Sequence, residues 1–222
     1  MRRNFSLILG AVLATAGVGV LGYPLLSQAF APSATAPAHA IEQQLRAAAP
    51  ADATTGDENT AEGITFTDIG SYGTDYGVLY IPSLGEEYVR AIQVGATQEV
   101  VDRNVLGVYD GSERAGEVGN LVLAGHREGV LNDLRLLEEG DHILIRTADG
   151  FYRYTMTREE IIKPTEMEVL NDVPLSKEAA MTAMLTLITC YPEWGNTERR
   201  IIIAELTEWL PASEAGTNGL PL

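Results

Sequence analysis

Thr186-Leu187-Ile188-Thr189-Cys190 is an apolar run rich in β-branched side chains that ends on a thiol. Such residues are stiff at χ1 and suit a pleated strand better than a helix. Tyr191-Pro192-Glu193-Trp194-Gly195-Asn196-Thr197 follows, and its Pro, Gly and Asn mark a loop. Arg199 and Arg200 then lead into Ile201-Ile202-Ile203, a second β-branched run. The stretch therefore predicts a strand that stops at Cys190, a loop, and a strand that leaves it. Neighbouring strand residues face opposite sides. One of Arg199 and Arg200 is thus expected to point toward the thiol and the other to meet solvent.

Working outward, the same pattern recurs. Gly77–Ile81, Tyr88–Gln93, Leu121–Ala124, His142–Thr147, Tyr152–Ile162, Leu185–Thr189 and Ile201–Leu206 all read as short strands bounded by turn residues. Pro82 ends the first. Ala148-Asp149-Gly150 joins two of them as a hairpin. Helical signals are few. Gly129 to Leu137 holds a turn or two, and Ser176 reads as an N-cap before Lys177-Glu178-Ala179-Ala180-Met181. Seven or eight short strands with scarce helix predict a mainly β fold, either a closed barrel or a sandwich. The folded domain is expected over residues 63–210, with a loose tail at 211–222.

Upstream, the chain opens Met1-Arg2-Arg3 and then carries no charged side chain from Asn4 to Ala38. Phe5 to Leu26 is a run of 22 mostly apolar residues, long enough to cross about 30 Å of hydrocarbon. Arg2 and Arg3 precede it and no basic residue follows closely, so residues 1–4 are expected in the cytoplasm and the remainder outside. The run at 5–26 reads as an uncleaved transmembrane signal-anchor. Ser27-Gln28-Ala29 and Ala38-His39-Ala40 also fit a signal-peptide cleavage site. Both readings export the rest of the chain. Residues 27–62, rich in Ala, Pro, Thr and acidic side chains, read as a flexible spacer. Ile41 to Ala49 within it has the makings of one or two helical turns.

Beyond the anchor lie all 31 acidic residues and 13 of the 15 basic ones, a net charge of −18. That charge excludes nucleic acid, which demands a basic footprint, and excludes electrostatic docking on anionic lipid. It reads as a solubility device. The acidic pairs Glu86-Glu87 and Glu138-Glu139 lack EF-hand ligand spacing. Neither a metal nor a cofactor is expected.

Cys190 is the only cysteine, so in an oxidising compartment it has no intramolecular disulfide partner. Most free cysteines act as small buried hydrophobes, but a thiol at a strand edge beside a loop is accessible. An ordinary thiol has a pKa of about 8.5, and a nearby imidazole and guanidinium would favour its thiolate. His126 follows Leu121-Val122-Leu123-Ala124-Gly125, a strand that ends in Gly, which places it at a rim. Arg199 would stabilise the oxyanion of an acyl transfer, although a surface ion pair is the simpler role for either arginine. The Thr189 hydroxyl either supports the site or packs within its strand. His142 reads as an exposed residue and His39 as part of the spacer. Papain-like enzymes place Cys before His, and neither the caspase Q-A-C motif nor the G-x-S-x-G elbow is present. Zinc-ligand spacing and a Gly-rich phosphate loop are also missing.

These motifs resemble the sortase family. Thr186-Leu187-Ile188-Thr189-Cys190 with Arg199 resembles the T-L-x-T-C…R signature, and Gly116 to Arg127 resembles the segment that carries the family's histidine. Leu79-Tyr80-Ile81-Pro82-Ser83-Leu84 is similar to the first strand. Tyr152-Arg153-Tyr154-Thr155 through Lys163-Pro164-Thr165 is similar to a later hairpin. The resemblance covers roughly residues 75–207 in the family's order. It implies an eight-stranded β-barrel and a cysteine transpeptidase, with His126, Cys190 and Arg199 at the catalytic positions. The nine-residue Cys-to-Arg spacing and Gly125-His126-Arg127 are most similar to class E sortases of high-GC Gram-positive bacteria, although Tyr191 stands where class E often has His. The implied partners are secreted proteins bearing a C-terminal L-P-x-T-G-like or L-A-x-T-G-like signal and a cell-wall precursor amine. Two other readings remain: a non-catalytic β-barrel binding module, and an unrelated cell-wall cysteine transpeptidase of the L,D type, whose Ser-x-Gly-Cys motif the chain lacks.

Overall fold

The computed structural model describes residues 34–48 and 70–212. Eight strands close a barrel: β1 (Asp75–Tyr80), β2 (Val89–Val94), β3 (Leu106–Val108), β4 (Gly119–Ala124), β5 (His142–Arg146), β6 (Gly150–Ile162), β7 (Ala183–Tyr191) and β8 (Glu198–Pro211). Their order around the barrel is β1-β2-β3-β4-β7-β8-β6-β5, and β5 returns to β1. The pairs β2–β3 and β4–β7 are parallel, and the rest are antiparallel. Closure removes the edges that an open sheet would leave unpaired.

Every strand alternates between an inner and an outer face. Leu121 and Leu123 of β4, Leu185 and Leu187 of β7, and Ile202 and Ala204 of β8 belong to the barrel core with Leu79, Ile92, Ile143 and Tyr154. Ile188 and Met184 of β7 face outward instead. They join Ile162, Ile201 and Ile203 in a second cluster, covered by Val169, Leu170, Val173 and Leu175 from the long β6–β7 connection. That connection contains a short 3-10 helix, Met167–Leu170.

The seven strands read from sequence are all present, and the hairpin turn lies between β5 and β6 as expected. The strand that the sequence did not reveal is β3, whose three residues are too few to show a period. The expected helix after Ser176 does not form. The Ser176 hydroxyl accepts from Glu178 N at 3.1 Å, which closes a two-residue turn rather than capping a helix. Preceding Leu175 is already left-handed, with φ 61°.

The spacer expected over 27–62 is in part ordered. Helix α1 (Ala36–Ala48) is longer than the one or two turns expected from Ile41. Ala38, Ile41 and Leu45 lie on one side of it and pack on Val78, Tyr80, Val89 and Ala91 of β1 and β2. Half-buried Glu42 pairs with Arg146 of β5 at 3.8 Å and also with Arg46. The proposed membrane segment at 5–26 and most of the tail at 211–222 lie outside the described residues. Among the described residues, no helix is long and apolar enough to cross a membrane.

Candidate active site

Cys190 is the penultimate residue of β7 and is partly exposed. Across the antiparallel β7–β8 ladder its Cα partner is Arg199. Directly opposed residues share a face, so thiol and guanidinium both belong to the outer side, beyond Ile188 and Ile201. Register alone makes this pairing, because Pro192 to Thr197 occupy the turn between the strands. Arg199 is held by two bonds from Nη1, to Asn196 O and Glu198 O, both at 2.8 Å. Exposed Trp194 lies in the same turn.

Arg200 does not meet solvent as expected. It takes the opposite face, pairs with Glu159 of β6 at 2.8 Å and sits over the Tyr191 ring at 5.2 Å. Glu159 lies opposite Ile202 and is thus the diagonal cross-strand neighbour of Arg200, so the sheet itself supplies the counterion.

His126 reaches the same rim through the parallel β4–β7 pair. Ala124 is opposite Ile188, Gly125 N donates to Ile188 O at 3.1 Å, and Thr189 Oγ1 donates to Gly125 O at 2.9 Å. His126 and Cys190 are each the second residue beyond the Ala124–Ile188 pair. Thr189, the candidate supporting residue, is buried and ties the two strand ends together. Gly125 is required by close packing: a Cβ there would lie 2.5 Å from Val130 Cγ2. The chain then turns sharply, with Leu131 N bonded to His126 O at 3.1 Å. Val130 and Leu131 plunge into the core. Tyr88, just before β2, and Arg90 of β2 hold this turn from below. Tyr88 Oη donates to Asn132 O at 2.8 Å, and Arg90 Nε donates to Val130 O at 2.9 Å. Burial pushes the Tyr88 phenol up to about 12 and pulls the Arg90 guanidinium below its ordinary value.

Sequence reasoning missed two neighbours of the histidine. Asp102, which ends the short helix α2 (Gln98–Val101), has Oδ1 2.7 Å from His126 Nε2. The hydrogen bond with His126 is the main cause that holds its carboxyl below the ordinary value; desolvation opposes it, and a bond from Gln98 adds a smaller lowering. Arg127 Nη1 donates to Pro192 O and, at 2.8 Å, to Gly195 O. The residue after His126 thus clamps the turn that follows Cys190. Neither pairing leaves a local signal, although Arg127 stands inside the quoted motif.

His142 opens β5 beside Thr155, and His39 lies on α1; neither is among the residues that the register brings to this rim. Among the described residues, no group of three or more His, Cys, Asp or Glu side chains could hold a metal. A depression of about 430 Å³ on the β6–β7 connection is lined by Leu170, Asn171, Asp172, Ser176, Lys177 and Glu178, and none of the candidate residues lines it. A thiol, an imidazole backed by a carboxylate and a guanidinium on one rim have the parts of an acyl-transfer site.

A sortase domain model matches residues 79–207. Over 161 residues the chain is 32% identical to Sortase SrtE1 of Streptomyces coelicolor, a match that covers 67% of this chain and 45% of that protein. The chain therefore spans less than half of that relative's length. Among solved structures, SrtA sortase from Actinomyces oris is 31% identical with a TM-score of 0.63, over 69% of this chain and 91% of its own. Sortase E from Streptomyces avermitilis is 30% identical with a TM-score of 0.59, over 67% of this chain and 98% of its own.

Proposed function

The chain belongs to the sortase family, with class E members among its relatives, and on that premise we propose that it is a class E cysteine transpeptidase acting outside the cell membrane. The single observation that carries this reading is the Cys190–Arg199 pair, set face to face by the β7–β8 register with His126 on the neighbouring strand end. The anchor at 5–26, with a cytoplasmic amino terminus and an extracytoplasmic barrel over 63–210, belongs to the same proposal.

The substrate is a secreted protein with a C-terminal L-P-x-T-G-like or L-A-x-T-G-like signal. The Cys190 thiolate attacks the Thr carbonyl carbon. Arg199 stabilises the oxyanion; its Nη1 is engaged by two carbonyls, so Nη2 is the donor offered to the substrate. Asp102 engages His126 Nε2, which leaves Nδ1 to handle protons. The imidazolium gives its proton to the leaving Gly nitrogen, the Thr–Gly bond breaks, and a thioester remains. An amine of a cell-wall precursor then attacks the thioester. Neutral His126 takes the amine's proton, the thiolate leaves, and an amide is formed. The thioester conserves the bond energy, so the two steps replace one harder reaction.

Transfer of a fluorogenic sorting peptide to an amine tests the reading. Cys190→Ala is expected to lower transfer by more than about 10³-fold. Full activity in that variant would refute the mechanism. A peptide panel that varies only Pro against Ala at the second position identifies the signal.

A further inference from the structure

The outer face of β4 and β7 carries one polar pair in an otherwise apolar setting. Asn120 is 3% exposed and Thr186 0%. Thr186 Oγ1 donates to Asn120 Oδ1 at 2.8 Å. Asn120 Nδ2 spends its two hydrogens on Val169 O at 3.1 Å and Asn171 O at 3.0 Å. A carboxamide flip would set its oxygen against those two carbonyls, so the three bonds define one orientation. Two apolar residues of the same shape would fill this space without any desolvation cost. A satisfied buried network instead specifies a unique arrangement.

What this network arranges is the β6–β7 connection. Val169, Leu170, Val173 and Leu175 cover Met184, Ile201 and Ile203. The cover is braced from within by Leu175 N to Glu168 O at 2.9 Å and Asn171 Nδ2 to Ser176 O at 2.6 Å. Arg158 of β6 adds a bond to Pro174 O at 2.9 Å. It stops short of the rim, where Ala124, Ile188 and Cys190 are partly exposed. Those three residues form a strip of floor that leads to the thiol, and Val169–Asn171 stands at its end as a wall.

We propose that Asn120 and Thr186 are positioning residues for peptide binding: together they set the height of the 163–182 wall over the β4–β7 floor, and so the fit of an extended sorting peptide whose scissile bond lies at Cys190. Thr186 is four residues from Cys190 along β7, about 13 Å, which places the wall within reach of an extended peptide whose scissile bond lies at the thiol. The inference rests on the transpeptidase reading. The pair touches none of the reacting groups, so its loss weakens peptide binding and spares the chemical step.

Thr186→Val keeps the shape and removes the hydroxyl; Thr186→Ser restores it. In the full chain, Thr186→Val is expected to raise KM for the sorting peptide about 5- to 10-fold. kcat should stay within about two-fold and alkylation of Cys190 by iodoacetamide should be unaltered, because binding and chemistry separate in these parameters. Thr186→Ser is expected to recover the original KM. A pair that served only stability would lower Tm and leave KM alone. A folded Thr186→Val with wild-type KM, or with kcat lost and KM kept, overturns the proposal. If Thr186→Val does not fold, hydrogen exchange in the wild-type chain decides. The bonded amides of Asn171 and Leu175 should then exchange more slowly than those of the 192–197 turn, and exchange as fast as in that turn overturns it. A wild-type chain that transfers no sorting peptide would sink the transpeptidase reading and this proposal with it. An active wild type with an unmoved Thr186→Val KM sinks this proposal alone.

Discussion

The β7–β8 hairpin and the turn after β4 both deliver residues to one rim, but by different physics. Cys190 and Arg199 are opposed by backbone pairing between Met184 and Tyr191 on one strand and Glu198 and Glu205 on the other. His126 has left its strand, and side chains fix it: Asp102 on the ring, Arg127 on the facing turn, Tyr88 and Arg90 beneath. Register tolerates substitution because the ladder is made of main chain. A turn held by side chains is only as fixed as each of them.

This contrast is open to breakage at several strengths. The largest effect is expected on the hairpin's own chemistry. Arg199→Ala should lower transfer about 10²-fold or more, the cost of a lost oxyanion donor, while circular dichroism and Tm stay near wild type because no ladder bond is removed. Next is the clamp between the two regions. Arg127→Ala frees the 192–197 turn and should cost about 10-fold in kcat/KM by misplacing one side relative to the other. No change there would mean that the ladder alone positions Cys190.

Smaller again is Asp102→Asn, expected to lower kcat about three-fold through a less well oriented ring. Its pH dependence sharpens the point. The Asp102 carboxyl is held below its ordinary value in the folded chain. Its stabilisation is therefore complete above the unfolded value of about 3.9 and is lost as pH falls through the lowered folded one. Denaturation of wild type and Asp102→Asn should accordingly converge below about pH 4. The smallest catalytic effect belongs to Arg200→Ala, within about two-fold in transfer. The loss of its contacts with Glu159 and Tyr191 should cost about 1 kcal/mol, or roughly 2–4 °C in Tm. If Arg200→Ala were the damaging change and Arg199→Ala the mild one, the two faces of β8 would have to be reassigned.

The same contrast explains what was legible in the sequence. Thr186–Cys190, the Pro/Gly/Asn turn and Ile201–Ile203 lie within one short stretch, so the hairpin follows from local pattern; that Arg199 rather than Arg200 shares the face of Cys190 is set by the register. Gly125 before His126 was visible as a strand end for the same reason. Asp102 is 24 residues from His126, Arg127 is 65 from Pro192, and Thr186 is 66 from Asn120. No period or turn rule reaches that far; only the barrel order brings these pairs together. Arg200 shows the limit of strand alternation. Alternation gave its face, but the counterion on β6 could not be read without knowing that β6 and β8 are neighbours. Helix α1 was underestimated because Ala38, Ile41 and Leu45 carry little apolar signal until β1 and β2 supply a surface for them.

The parallel β4–β7 pair has a consequence in time. The bond from Thr189 to Gly125 closes 64 residues of chain, and contacts of such separation form slowly because the intervening loop must first surrender its entropy. Arg199 is a hairpin neighbour of Cys190 and meets it early. His126 meets it only when β7 docks between β4 and β8. A newly made chain thus brings Arg199 to Cys190 before His126 can reach it, and the three share a rim only once the barrel is shut.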